Sequence, residues 1–116
     1  MEKIIKIDGR DVKLKATAGF MYRYKSQFGR EYLADMIEFE EAAKKAAKEK
    51  NVTNKMKYYN FNTMYNIIWA LAKTADDTIP PPQEWLDTFD TFPIFQIFGE
   101  VKELLDSSGK IDRKNG

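Results

Sequence analysis

Acid–base chemistry in a chain without histidine has to come from carboxylates, and two groups of them stand close in sequence here: Glu38, Glu40 and Glu41, and Asp76 with Asp77. Paired carboxylates act as acid and base only where burial drives their pKa values apart. The first group sits in a charge-rich stretch with helical spacing, and the second stands beside prolines in a loop. Both therefore read as solvated surface. A basic run, Lys44, Lys45, Lys48 and Lys50, precedes Tyr58, Tyr59 and Phe61, an order suited to stacking bases beside neutralised phosphates. Glu40, Glu41 and Glu49 interleave with those lysines, however. The whole chain carries 19 Lys plus Arg against 18 Asp plus Glu, a net charge of +1. Long-range attraction to nucleic acid or anionic lipid is not expected at that balance.

Histidine and cysteine are both absent. That removes the commonest general base, the thiol nucleophile, the disulfide and the usual zinc ligands. Ser107-Ser108-Gly109-Lys110 lacks the strand–loop–helix setting of a phosphate cradle. The expectation is a non-enzymatic chain with no cofactor, no metal and no small-molecule substrate. The start, "MEKIIKIDGR", has no signal-peptide pattern. No stretch reaches the roughly 18 apolar residues that a membrane span needs. A soluble, intracellular protein without a membrane partner is expected.

The elements that would position any site follow from pattern and punctuation. With 116 residues, one domain is expected, and a domain of this size buries about two-thirds of its unfolded surface. "KIIKIDGRDVKLKA" reads as a hairpin around Asp8-Gly9-Arg10-Asp11. A four-residue loop would pair Ile7 with Val12 and Ile5 with Leu14; a two-residue loop would set Ile7 opposite Arg10. The longer loop is the expected one, because register follows the buried face. Thr17 is placed to cap a helix over 18–28, which Gly29 ends. A helix over 30–50 follows, carrying i,i+4 pairs Glu40–Lys44 and Glu41–Lys45 and a small-residue stripe of Ala43, Ala46 and Ala47. A third helix, 54–75, is apolar nearly all round and so central. Met56, Met64, Ile67 and Leu71 make one expected stripe, and Phe61, Tyr65, Ile68 and Trp69 make another. Pro82 opens a short helix over 82–89, and Pro93 a last one over 93–106.

The stretch "WLDTFDTFPIFQIFGEV" spaces Phe89, Phe92, Phe95 and Phe98 three residues apart. On one continuous helix they would spread over half the cylinder. Pro93 divides them instead, holding Phe92 extended. In the last helix Ile94, Ile97, Phe98, Val101, Leu104 and Leu105 form the core stripe, and Phe95 falls at its edge near Lys102. Phe92 and Phe95, with Trp85 and Phe98 beside them in the same stretch, are the candidate partner-binding residues.

The fold class expected is α+β, mainly α: an N-terminal β-hairpin packed on a bundle of four to five helices. The domain spans 1–106 (hairpin about 3–16, helices about 18–28, 30–50, 54–75, 82–89 and 93–106), followed by a flexible tail at 107–116.

Three motifs in this order resemble the tail assembly chaperones of long-tailed phages and prophages of Gram-positive bacteria. They are Arg23, Tyr24, Phe28, Gly29 and Arg30; then Trp69 to Lys73 in "WALAK"; then Pro82, Trp85 and Leu86. The resemblance spans about Lys13 to Leu105. It implies a non-enzymatic protein that binds the tape-measure protein, and through it tail tube subunits, in the host cytoplasm, and that is absent from the mature virion. A chaperone of that kind needs exposed apolar surface, which agrees with Phe95 at the edge of its stripe. Two other readings compete. One is a structural adaptor of the tail or neck, joined to other copies through its hairpin edge. The other is a small nucleic-acid-binding regulator using the lysine run.

Overall fold

Two short strands open the chain. β1 (Glu2–Ile7) and β2 (Arg10–Lys15) pair antiparallel around a two-residue turn, Asp8-Gly9. Asp8 and Gly9 both have positive φ, 52° and 76°. That is the turn whose twist matches the strands, and Asp-Gly is its favoured sequence. The register is Ile7↔Arg10, Ile5↔Val12 and Lys3↔Leu14, so the expected four-residue loop is corrected. The two registers differ by two residues, and both keep Ile5, Ile7, Val12 and Leu14 on one face. Hydrophobic alternation therefore could not separate them, and turn chemistry decided. The shorter turn places Lys3 and Arg10 at the ends of the apolar face. Lys3 Nζ reaches Glu103 at 2.8 Å, and the Arg10 guanidinium lies 3.8 Å from the Phe89 ring centroid.

This computed structural model describes the backbone of residues 1–115 and the side chains of residues 1–107. Six helices follow the hairpin: α1 (Ala18–Phe28), α2 (Tyr32–Lys48), α3 (Val52–Lys57), α4 (Phe61–Ala75), α5 (Pro82–Leu86) and α6 (Ile94–Asn115). The fold is α+β and mainly α, as the patterning indicated. α1 has its expected bounds. Gly29 ends it in the left-handed conformation, φ 69°, with its N–H donated to Lys25 O at 2.8 Å. Thr17 holds the cap position, but its side chain makes no cap hydrogen bond.

The expected helix over 54–75 is two helices. The Asn51 side chain accepts from the Asn54 N–H at 3.1 Å, and Asn60 accepts from Thr63 N–H at 3.4 Å. Asparagine favours such caps over helix interiors, so each starts its own helix. The break over Tyr58–Asn60 takes Met56 off the Met64, Ile67 and Leu71 stripe and leaves it exposed. α5 stops at Leu86 rather than 89, while the Thr88 hydroxyl donates to Trp85 O at 2.6 Å. α6 runs past the end expected near Asp106; most of the expected tail at 107–116 lies outside the described side chains.

The core forms around α4, from Met64 and Ile67 through Ala72, all buried. The inner face of the hairpin (Ile5, Ile7, Leu14), Phe20 and Tyr24 of α1, and Ile97, Phe98, Val101 and Leu104 of α6 close around it. The loop before α5 is fastened to α4. Trp69 Nε1 donates to Pro80 O at 2.9 Å, and Lys73 Nζ donates to the Asp77 and Ile79 carbonyls at 2.6 and 2.8 Å. The Asp76 carboxylate accepts from the Thr78 hydroxyl and N–H, which holds its pKa below the usual range and tightens the same loop.

Candidate partner-binding groove

The edge position assigned to Phe95 by its helical spacing is where the molecule opens a groove. α2 supplies one wall through Ala43, Ala46 and Ala47. α3 supplies Val52, Lys55 and Met56, and Phe95 of α6 closes the far side with Tyr59. The open groove has a volume of about 400 Å³. Ala43 and Ala47 lie on the flank of α2 beside the face that buries Ala42 and Ala46, and the small side chains of the three wall alanines leave space above the helix. Val52, Met56 and Phe95 are 67, 41 and 39 % exposed. Three large apolar side chains on two helices thus face solvent around one depression, whereas scattered exposed hydrophobes would mean little.

Phe95 is held rather than free. Its ring meets Tyr59 edge-on at 5.2 Å between centroids and Phe61 at 5.5 Å. Tyr59 in turn packs on Phe39 at 5.5 Å, and Phe39 on the buried Phe98 at 4.8 Å. An aromatic fixed from behind loses little rotamer freedom when a partner covers its open side. The groove walls are pinned by Lys102 of α6, whose Nζ reaches Glu40 of α2 at 2.7 Å. The hydrogen bond to Glu40 raises the Lys102 pKa. Glu40 therefore serves α6 rather than its expected partner Lys44. Lys44 lies 3.8 Å from Glu41, an i,i+3 contact in place of the expected i,i+4 pairs.

The other candidates divide. Phe92 is half-buried in a separate aromatic cluster with Tyr65, Trp85 and Phe89, at 5.6, 6.0 and 5.4 Å. It does not line the groove. Trp85 and Phe98 are buried core residues and do not line the groove. Each falls on the inward side of its helix, while Phe95 alone among the four is turned out.

A buried polar node went unread in the sequence. Asp35 of α2 is 1 % exposed. It accepts from the Tyr24 hydroxyl at 2.5 Å, from Arg30 Nε at 3.0 and 2.9 Å, and from Arg30 Nη2 at 2.6 Å. Burial alone would raise the Asp35 pKa; the Arg30 and Tyr24 hydrogen bonds outweigh it and hold the carboxyl below its ordinary value. Burial and the bond to Asp35 push the Tyr24 phenol well up. Both carboxylate oxygens are thus engaged by donors, which suits fastening α1 to α2 rather than accepting a substrate proton. Arg23 does not join the node; its Nε is buried without a hydrogen-bond partner among the described residues. The signal for Asp35 was its register: it shares the inward face of α2 with Phe39, Ala42 and Ala46, and a carboxylate there needs a partner.

The chain matches no family model, no curated protein and no solved structure. Its own geometry therefore carries the argument. The motifs Tyr24/Gly29/Arg30, Trp69/Lys73 and Pro82/Trp85 each have a physical task, in the node, the loop fastening and the α5 packing. Among the described residues, no group of three or more Asp or Glu stands together in a way that could hold a metal ion. None of the described helices is long and apolar enough to cross a membrane.

Proposed function

We propose that this protein is a phage tail assembly chaperone. It acts without catalysis, by seating an apolar helical stripe of the tape-measure protein in the groove between α2, α3 and α6. The observation that carries the reading is Phe95: an aromatic braced from behind, open in front, and facing an alanine-lined wall. An amphipathic helix laid in such a groove would set a large side chain over Ala43 and Ala47 and cover Phe95 and Val52. The order of the three motifs supports the family assignment, and the groove supports the mode of binding. On this reading the protein works in the host cytoplasm alongside tail tube subunits and leaves before the virion matures.

The test is a binding assay between the full chain and the tape-measure protein encoded beside it. Phe95→Ala and Val52→Asp change exposed groove residues. Asp at the first turn of α3 also suits the helix dipole, so that variant should fold normally. Each should weaken binding at least about tenfold, the scale of one interface hot spot. No binding by the wild type, or equal binding by both variants, would overturn the proposal. The adaptor reading draws on one observation, the unpaired edges of the hairpin, and finding the protein in purified virions would favour it. The lysine run is interleaved with acids, and a nucleic-acid role would require salt-dependent retention on DNA.

A further inference from the structure

The two-residue turn fixes which backbone groups of the hairpin face outward. Met1 and Ala16 exchange hydrogen bonds at 2.8 and 3.2 Å, so by the alternation of an antiparallel ladder Lys3↔Leu14, Ile5↔Val12 and the turn-closing Ile7↔Arg10 are the hydrogen-bonded pairs. The N–H and C=O groups of Glu2, Ile4 and Lys6 therefore point away from β2, to a free edge. Among the described residues the sheet has only these two strands, and none of those groups makes a backbone hydrogen bond to another element. The side chains of Glu2, Ile4 and Lys6 share the outer face of the hairpin and are exposed, Ile4 at 61 %.

We propose that β1 pairs antiparallel with β1 of a second copy of this chain, about a two-fold axis through Ile4, making one four-stranded sheet. The register follows from symmetry. Ile4 meets Ile4 of the second copy, Glu2 meets its Lys6, and Lys6 meets its Glu2. Each is a residue whose backbone groups already face the edge, so the ladder and the side-chain matches coincide. The outer face then gains an apolar pair flanked on both sides by acid against base, the favourable arrangement of cross-strand neighbours. The β2 edge does not offer this. Its outward groups belong to Asp11, Lys13 and Lys15, and the same two-fold operation would lay Lys13 on its own copy. Lysine on a remaining edge discourages further addition, so the assembly closes at two. Lys3 is no obstacle, because its ammonium is turned inward to Glu103 and to the Glu100 carbonyl. The inference is independent of the chaperone reading, since the groove residues take no part in it.

The test uses the full chain in sedimentation equilibrium with three variants. Ile4→Pro removes an outward N–H while leaving the ladder within the hairpin intact. Glu2→Lys and Lys6→Glu each turn both flanking pairs into like charges. The wild type should dimerise, and each variant should dimerise at least about tenfold more weakly. An equimolar mixture of Glu2→Lys and Lys6→Glu should restore wild-type strength, since each lysine again meets a glutamate, and native mass spectrometry should find dimers with one of each. A wild type that stays monomeric to about 1 mM, open polymers in place of dimers, charge variants that dimerise unchanged, or a mixture no stronger than its parts would each overturn it.

Discussion

Replacing Asp35 with Asn tests the polar node between α1 and α2 directly. The side chain keeps its size, but its charge is lost, and its amide NH₂ faces either Arg30, which can only donate, or the Tyr24 hydroxyl, which must then turn from donor to acceptor. Removing one side of a buried ion pair costs 3–5 kcal/mol or so. The low end applies because Arg30 is half exposed, 48 %, and regains water when released. About 3 kcal/mol lost at pH 7 lowers Tm by roughly 10 °C in a domain of this size. The pH dependence gives a second signature. The folded-state pKa of Asp35 lies below its unfolded value. Its contribution is therefore present above the unfolded carboxylate pKa, near 4, and is lost as pH falls through the folded value. Asn has no such titration, so the gap between wild type and variant should be widest at neutral pH and narrow in acid. Urea denaturation of both proteins at several pH values reads this out. A gap under about 0.5 kcal/mol at pH 7, or one of constant size down to pH 2, would refute the reasoning.

Gly29→Ala forces a β-carbon into the left-handed conformation at the end of α1, where φ is 69°; it should cost about 1 kcal/mol in the same assay, through strain alone since nothing lies within 4 Å of the new atom. Asn60→Ala removes the cap of α4 and should cost about 1 kcal/mol, while Asn60→Gly costs only a few tenths. Burial, then the Asp106 and Glu40 charges, push the Tyr32 phenol up to about 12. Its folded-state pKa is above the unfolded value, so its contribution holds below about pH 10 and is lost as pH rises through the folded value. Absorbance at 295 nm should show a late tyrosine component that Tyr32→Phe removes.

Much of the architecture was legible because it rests on local rules. Gly29, Pro82 and Pro93 punctuate the helices where the chain turns, and the α6 stripe from Ile94 to Leu105 faces inward as its spacing required. What escaped was decided by short polar side chains or by distance. The hairpin register hung on Asp8-Gly9, since hydrophobic alternation is blind to a two-residue shift. Asn60 split a helix that apolar content alone would have joined. Phe95 was legible as an edge residue, but the groove was not. Its opposite wall, Val52 and Met56, comes close only once α3 folds back beside α2, and nothing in the local pattern encodes that return.

The hairpin's anchors have a consequence for the order in which the molecule is made. Asp8 accepts from Asp90 N–H at 2.9 Å and Thr91 Oγ1 at 3.2 Å, Arg10 donates to Thr88 at 3.0 Å, and Lys3 holds Glu103. The hairpin thus docks on residues 78 to 100 positions further along the chain. A two-stranded hairpin is marginal by itself, so during synthesis it must wait, unsupported, for α5 and α6 to emerge. Emergence of residues 88–103, rather than closure of the Asp8-Gly9 turn, then becomes the moment at which the hairpin settles, and a chain cut short before Ile94 would leave the hairpin without its Glu103 anchor.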